Sequence, residues 1–278
     1  MRKIGISERP DWPLAVVVSA GGLGMAAARR LSQRHRVLVA DIDPVRAEGA
    51  AAALHSEGGD AAAIACDITK AESVTALAEK ADALGGFRVL AHVAGLSPSM
   101  GDFASVMRVN LVGAAAVCEA LRPRAPVGGV AILISSLAGH NFHPEQRVEA
   151  LIRNPSDPML IETLIAELGE ARATPQIAYA LSKYGLMAWC RRQAQAWGGR
   201  GARIVSLSPG IIATPQGARE FEQSPGKIEL FARTPLGREG TMLEIADAIE
   251  FLASDRASFI SGTDLLVDGG LAAALSSK

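Results

Sequence analysis

Short apolar, β-branched runs recur along this chain, and most neighbouring pairs are separated by an Ala-rich stretch of helical composition. The runs lie at 14–18, 37–40, 61–65, 89–93, 130–134, 204–207 and 265–267, and helical spacing fills 25–33, 45–56, 72–84 and 106–121. Strand and helix in alternation argue for a parallel sheet covered on both faces. Strands apolar throughout fit burial from both sides, and right-handed crossovers then give a doubly wound α/β sheet of about seven strands. We read residues 1–278 as a single domain of this kind. One region breaks the rhythm: 140–175 offers no strand. It reads as a helix at 145–153, the breaker Asn154-Pro155-Ser156-Asp157-Pro158 and a second helix at 159–170, a helical insertion ahead of the next core helix.

Composition narrows the function classes. There are 28 basic against 29 acidic residues, so no basic footprint for nucleic acid exists. No apolar run approaches the length of a membrane span, and the N-terminus lacks the apolar core of a signal peptide. The expectation is a cytoplasmic protein with no membrane or nucleic-acid partner. Cys66, Cys118 and Cys190 are far apart, form no metal-ligand spacing, and read as buried small hydrophobes of a reducing compartment. No metal site is expected.

The first strand runs into Ser19-Ala20-Gly21-Gly22-Leu23-Gly24 and then a helix. Glycines there permit a tight turn and close approach of backbone to a pyrophosphate, whose charge the helix N-terminus favours. A plain strand-to-helix turn explains the same glycines. Position decides for the nucleotide: this is the first strand and first helix of a βαβ unit, in a Rossmann-type sheet. Asp41, at the tip of the second strand, suits the ribose hydroxyls of an adenosine and repels a 2′-phosphate, which favours NAD over NADP; a solvated Asp opening the next helix is the bland alternative. Asp43, before Pro44, reads as the next helix cap.

Tyr179 and Lys183 are four apart in a helical segment and so share a face. A free phenol is a poor base at neutral pH; a neighbouring ammonium favours the phenolate. Tyr179 then takes the proton of an alcohol as hydride leaves, or returns it to a forming alkoxide. Two exposed surface residues at the same spacing remain the bland alternative. Ser135-Ser136 follow an apolar strand, where a hydroxyl faces the ligand crevice. Asn110 sits inside a mostly apolar helix, where an Asn needs partners; a structural hydrogen bond accounts for it equally well.

Together these residues resemble the classical short-chain dehydrogenase/reductase family over 14–270, apart from the insertion. The landmarks stand in the family's order: the turn at 21–24, Asp41, Cys66-Asp67-Ile68-Thr69, Ala94-Gly95, Asn110, Ser135-Ser136, Tyr179 to Lys183, Pro209-Gly210-Ile211-Ile212-Ala213-Thr214 and Val267-Asp268-Gly269-Gly270. The resemblance implies that Tyr179 is the acid/base, that Lys183 lowers its pKa and holds the nicotinamide ribose, and that Ser136 orients the substrate oxygen. It implies that Asn110 anchors a proton relay to Lys183. Gly22, Leu23, Gly24, Asp41, Asp67, Ile68, Ala94, Gly95, Pro209, Gly210, Ile212 and Thr214 join Tyr179 and Lys183 as cofactor contacts, with Asp67 at the adenine edge. It also implies a homodimer or homotetramer acting on a small alcohol or ketone.

Three departures stand out. The first turn is shortened and lacks its first glycine. The usual Asn-Asn-Ala-Gly is His92-Val93-Ala94-Gly95, with His92 read as a packed or surface residue. The gap from Ser136 to Tyr179 is long, a layout that resembles the 3α-hydroxysteroid dehydrogenase/carbonyl reductase branch. A steroid or other apolar carbonyl compound is therefore one expectation, in a pocket drawn from Leu96, Met100, Phe142, Phe221 and Phe231. The insertion is expected to act as a lid, a pocket wall or a subunit contact. A 3-oxoacyl-thioester reductase and a dinucleotide sensor without turnover are the alternative functions.

Overall fold

The structure, a computed structural model, describes residues 11–214 and 225–276. Its first half alternates β1 (Leu14–Val18), α1 (Gly22–Leu31), β2 (Arg36–Asp41), α2 (Pro44–Ser56), β3 (Ala61–Ala65), α3 (Ala71–Ala83) and β4 (Phe87–His92). Then come α4 (Phe103–Met107), a π-helical turn (Arg108–Gly113), α5 (Ala114–Leu121), β5 (Val130–Ile134), α6 (Leu137–His140), α7 (Gln146–Leu151), α8 (Leu160–Leu168), α9 (Pro175–Gly198) and β6 (Arg203–Pro209). The last described elements are β7 (Ile212–Ala213), α10 (Pro225–Ala232), β8 (Gly240–Thr241), α11 (Met242–Ala253), β9 (Asp264–Val267) and α12 (Leu271–Ser276).

Seven parallel strands run in the order β3-β2-β1-β4-β5-β6-β9, with a separate small β7–β8 pair. The doubly wound fold expected from the apolar runs is what forms. Period-two alternation divides each strand between two cores. Val16, Val18, Leu38, Leu90 and Leu133 face α5 and α9. Val17, Val39, Val89, Ala91, Ile132 and Leu207 face α1 and α11. Aromatics are scarce, so aliphatic side chains do most of the filling, each worth about 1.5–3 kcal/mol when fully buried. Asp43 caps α2 as expected, accepting the N–H groups of Val45 and Arg46 ahead of Pro44. All three cysteines are buried and unpaired, and burial pushes Cys66 up to about 11 and Cys190 up to about 12.

One expectation changes. The stretch Phe103–Arg124 does have the length and apolarity of a membrane span. It is nevertheless core: Val106, Met107, Leu111, Ala114 and Cys118 are fully buried against the sheet and α9. The insertion forms two helices as expected, α7 and α8. Val148, Leu160, Leu164 and Leu168 sink into the core that α9 shares, and Ser156 donates to the Glu119 carboxylate at the end of α5. Among the described residues none of α7 or α8 lines the cleft described next, but Asn141, which precedes α7 within the insertion, does. The apolar stripe of the two helices is spent on the flank of the helical layer.

Candidate active site

Strand order reverses between β1 and β4, and the carboxyl ends of the strands on either side open into one cleft, the place such sheets bind ligands. The cleft has two lobes of about 500 and 560 Å³ that meet at Gly95 and Leu96.

The first lobe lies over β1, β2 and the end of β3. Ser19, Asp41, Asp67, Ile68 and Ala94 line it. The shortened turn closes through Ser19, which sits at φ 109 and is the only described non-glycine residue with positive φ. That conformation ordinarily belongs to glycine, and holding a serine in it costs about 1–3 kcal/mol. Local bonds hold it: Ser19 N–H donates to Ala40 O at 2.7 Å, and Ser19 Oγ accepts the Gly21 N–H at 3.2 Å. Gly24 packs so closely that any side chain there would run into the Ser19 carbonyl. Gly22 opens α1 beneath Met242, and Leu23 reaches the second lobe.

Asp41 is buried, and its carboxylate accepts two backbone N–H groups, from Ala20 at 2.8 Å and Asp43 at 3.0 Å. Arg46 stands 3.5 Å away. The residue read as a ribose selector therefore also fastens the glycine-rich turn to β2, a role the sequence did not reveal. Asp67 is tied up locally by the Thr69 N–H and hydroxyl, which hold its carboxyl below the usual range.

The second lobe gathers Ser136, Tyr179, Lys183, Pro209, Gly210 and Ile212, with Thr214 also on its wall. β5 delivers the serines and α9 delivers Tyr179 and Lys183. Ser135 is buried and donates to the Lys183 carbonyl at 2.9 Å, pinning helix to strand. Ser136 caps α6 by accepting the Ala138 N–H and also hydrogen-bonds Tyr179. Burial pushes the Tyr179 phenol above its ordinary value, and the Ser136 bond works against that. Lys183 is 4% exposed, donates to Ile134 O at 2.8 Å, and burial brings its pKa down to about 8. Its Nζ lies 5.8 Å from the centre of the Tyr179 ring.

Asn110 lies in the π turn rather than in regular helix, a local widening common at functional sites. Its amide is fully engaged with the Leu96 backbone: Oδ1 accepts the N–H at 2.7 Å and Nδ2 donates to the carbonyl at 2.9 Å. The structural hydrogen bond weighed earlier is thus present. A Cβ on Gly95 would come within 3.2 Å of Asn110 Oδ1 and 3.4 Å of Lys183 Nζ, so a side chain there would press on the Asn110 amide. Of the apolar residues expected in the substrate pocket, Leu96 lines the second lobe. Met100 belongs to the first lobe, Phe142 packs on the core, Phe231 lines neither lobe, and Phe221 is outside the described residues.

One cluster escaped the sequence reading. His140, at the end of α6, bonds through Nε2 to Asp264 Oδ2 at 2.7 Å, and Ser208 donates to Asp264 Oδ1 at 3.0 Å. The lone acidic residue of an otherwise apolar strand was the available signal.

Comparison with known proteins agrees with this architecture. Residues 14–148 match the family described as short chain dehydrogenase, and 159–272 match Enoyl-(Acyl carrier protein) reductase. The chain is 33% identical over 271 residues to a short-chain dehydrogenase/reductase of Alternaria brassicicola, covering 94% of this chain and 96% of that protein. It is 32% identical to D-threitol dehydrogenase of Mycolicibacterium smegmatis, with 94% of each covered. Against 3-alpha-hydroxysteroid dehydrogenase/carbonyl reductase of Comamonas testosteroni it is 31% identical over 194 residues, 68% of this chain and 74% of that one. Among solved structures, a 7α-hydroxysteroid dehydrogenase complexed with NADH and 7-oxo glycochenodeoxycholic acid aligns with TM-score 0.75 and 25% identity over 93% of both chains.

Proposed function

The chain belongs to the short-chain dehydrogenase/reductase family of NAD(P)-dependent alcohol and ketone oxidoreductases, and on that premise we propose that it is an NAD-dependent enzyme with Tyr179 as its acid/base. The observation that carries this reading is the convergence of Ser136, Tyr179 and Lys183 on one lobe, next to a lobe shaped for a nucleotide.

The fit to a dinucleotide rests on three features. The cleft crosses the switch point, Gly95 keeps its two lobes continuous, and the turn at 19–24 brings bare backbone to the α1 N-terminus. Asp41 and Asp67 would face the adenosine, and Lys183, Ile212 and Thr214 the nicotinamide end. When bound, the nicotinamide supplies or accepts the hydride. The protein's own residues handle the proton. Ser136 holds the substrate oxygen beside the phenol, and Tyr179 gives or takes the proton at that oxygen. The Lys183 ammonium, 5.8 Å from the ring centre, favours the phenolate that burial alone opposes. The relatives' names span a tetritol and a hydroxysteroid, so the substrate class proposed is a secondary alcohol or ketone, apolar carbonyl compounds included.

Tyr179→Phe tests the reading. It should bind NADH like the wild type and lose turnover by roughly 10²–10⁴-fold, the usual worth of a positioned acid/base. Steady-state kinetics over a panel of cyclic alcohols and ketones checks it. Turnover retained in the variant would remove Tyr179 from the chemistry. Tight NADH binding with no hydride exchange across the panel would favour a sensor.

A further inference from the structure

His92 is a buried titratable group that the mechanism above does not use. It ends β4, paired with Val18 of β1 and Leu133 of β5. Strand alternation puts it with Leu90 on the face that α9 and the π turn cover. It is 1% exposed, and its Nε2 has no hydrogen-bond partner among the described residues. Such an orphan costs stability that a leucine in the same place would not.

The state of the ring follows from its surroundings. Burial holds the imidazole neutral, down at about 3, and the charge of Lys183 pushes the same way. The one influence the other way is that of the residue's own backbone, which raises the pKa. A neutral ring carries one proton, and with that proton on Nδ1 the unpartnered Nε2 presents a lone pair. Lys183 comes to the same place from α9: its Nζ donates to Ile134 O, one residue beyond the Leu133 that pairs with His92. Around the ammonium, α9 contributes the phenol of Tyr179 and the π turn the amide of Asn110, while β5 contributes the Ile134 carbonyl. That carbonyl takes one of three N–H donors. The unpartnered Nε2 and the ammonium thus share the buried ends of the adjacent strands β4 and β5.

We propose that His92 is a positioning residue for Lys183: its Nε2 lone pair anchors a bridging water whose oxygen accepts an N–H of the ammonium, keeping Lys183 charged in a dry core. The inference rests on the reading of Lys183 as the support of Tyr179. An acceptor held near a buried ammonium favours its charged form and offsets desolvation. Replacing His92 by an apolar residue leaves Lys183 to lose its proton at lower pH.

The test reads Lys183 directly, by NMR titration of its ¹³Cε resonance in the cofactor-free protein, assigned by its absence from Lys183→Met. In His92→Leu the titration should move down by about one pH unit, a tenfold change in the proton equilibrium. The alkaline limb of the kcat profile should move with it. His92→Gln, which restores an acceptor oxygen, should return both toward wild type. An unmoved Lys183 titration in His92→Leu overturns the proposal. So does a ¹⁵N spectrum of the wild-type protein with Nε2 protonated, a measurement that needs no variant to fold. Neither readout requires turnover, so a failure of the Tyr179 reading would register separately.

Discussion

At the scale of single residues, the site is assembled from groups that oppose folding. Lys183 shows this with a definite sign. Its pKa is about 8 in the folded protein against 10.5 for a free lysine, so burial disfavours its charge by about 3 kcal/mol. Below pH 8 both folded and unfolded states carry the proton, and the whole penalty is present. Between about 8 and 10.5 the unfolded chain binds more protons than the folded one, so stability rises with pH through that window. Lys183→Met should therefore be inactive yet more stable than wild type at pH 7, by about 1–3 kcal/mol after the lost bond to Ile134 is allowed for. The gap should close as pH approaches 10. Urea denaturation at pH 7 and at pH 9.5 measures it; a variant less stable at pH 7 would mean that the ammonium is held better than its burial indicates. Ser19, kept in a glycine conformation beside the nucleotide lobe, is a second residue of this kind.

At the scale of elements, what could be read beforehand follows from what each signal measures. Hydrophobic period located every strand of the main sheet, because burial on two faces leaves an unbroken apolar run. The helix-sharing of Tyr179 and Lys183 and the strand-end place of Ser136 came from local spacing alone. The π turn at Arg108–Gly113 did not, because its composition is that of ordinary helix and the extra residue per turn is set by neighbours: a Cβ on Gly113 would meet Ile68 at 2.9 Å. Nor did the setting of α6, where contacts come from 48 and 124 residues away. Ser136 caps this short helix, Gly139 lies flush on the α9 backbone, and His140 is held by the buried Asp264. The placement of Ser136 thus depends on how α6 sits on α9. A Cβ on Gly139 would be 2.7 Å from the Tyr184 nitrogen and 2.8 Å from the Lys183 carbonyl carbon, which are backbone atoms and cannot swing aside. Gly139→Ala should lift α6, lower kcat roughly tenfold or more and cost about 1–3 kcal/mol of stability. Kinetics alongside urea melts would show whether both fall; an unchanged kcat would mean that α6 does not govern Ser136.

At the scale of the whole molecule, the cleft spans both halves of the sheet, so a bound dinucleotide should act as a brace between them. Mass action makes this measurable: a ligand at a hundred times its Kd stabilises the fold by about 2.7 kcal/mol. NADH should accordingly raise the melting temperature well above the cofactor-free value, and NADPH at the same concentration should do so much less, because its 2′-phosphate would meet the Asp41 carboxylate. The usual argument would then convert the enzyme to NADPH by removing that charge. Here the argument breaks, because Asp41 also accepts the Ala20 N–H across the junction of β2 with the turn at 19–24. Asp41→Ala leaves that donor and the Asp43 N–H without their acceptor. It also frees a turn whose Ser19 conformation is held in part by its neighbours. The expected outcome is a variant about 1–3 kcal/mol less stable, with NADH affinity reduced and NADPH affinity not raised to the wild-type NADH level. Fluorescence titration with both cofactors, set beside the two thermal shifts, decides it. A variant that melts like the wild type and binds NADPH as the wild type binds NADH would show that Asp41 only repels phosphate, and that the turn stands without it.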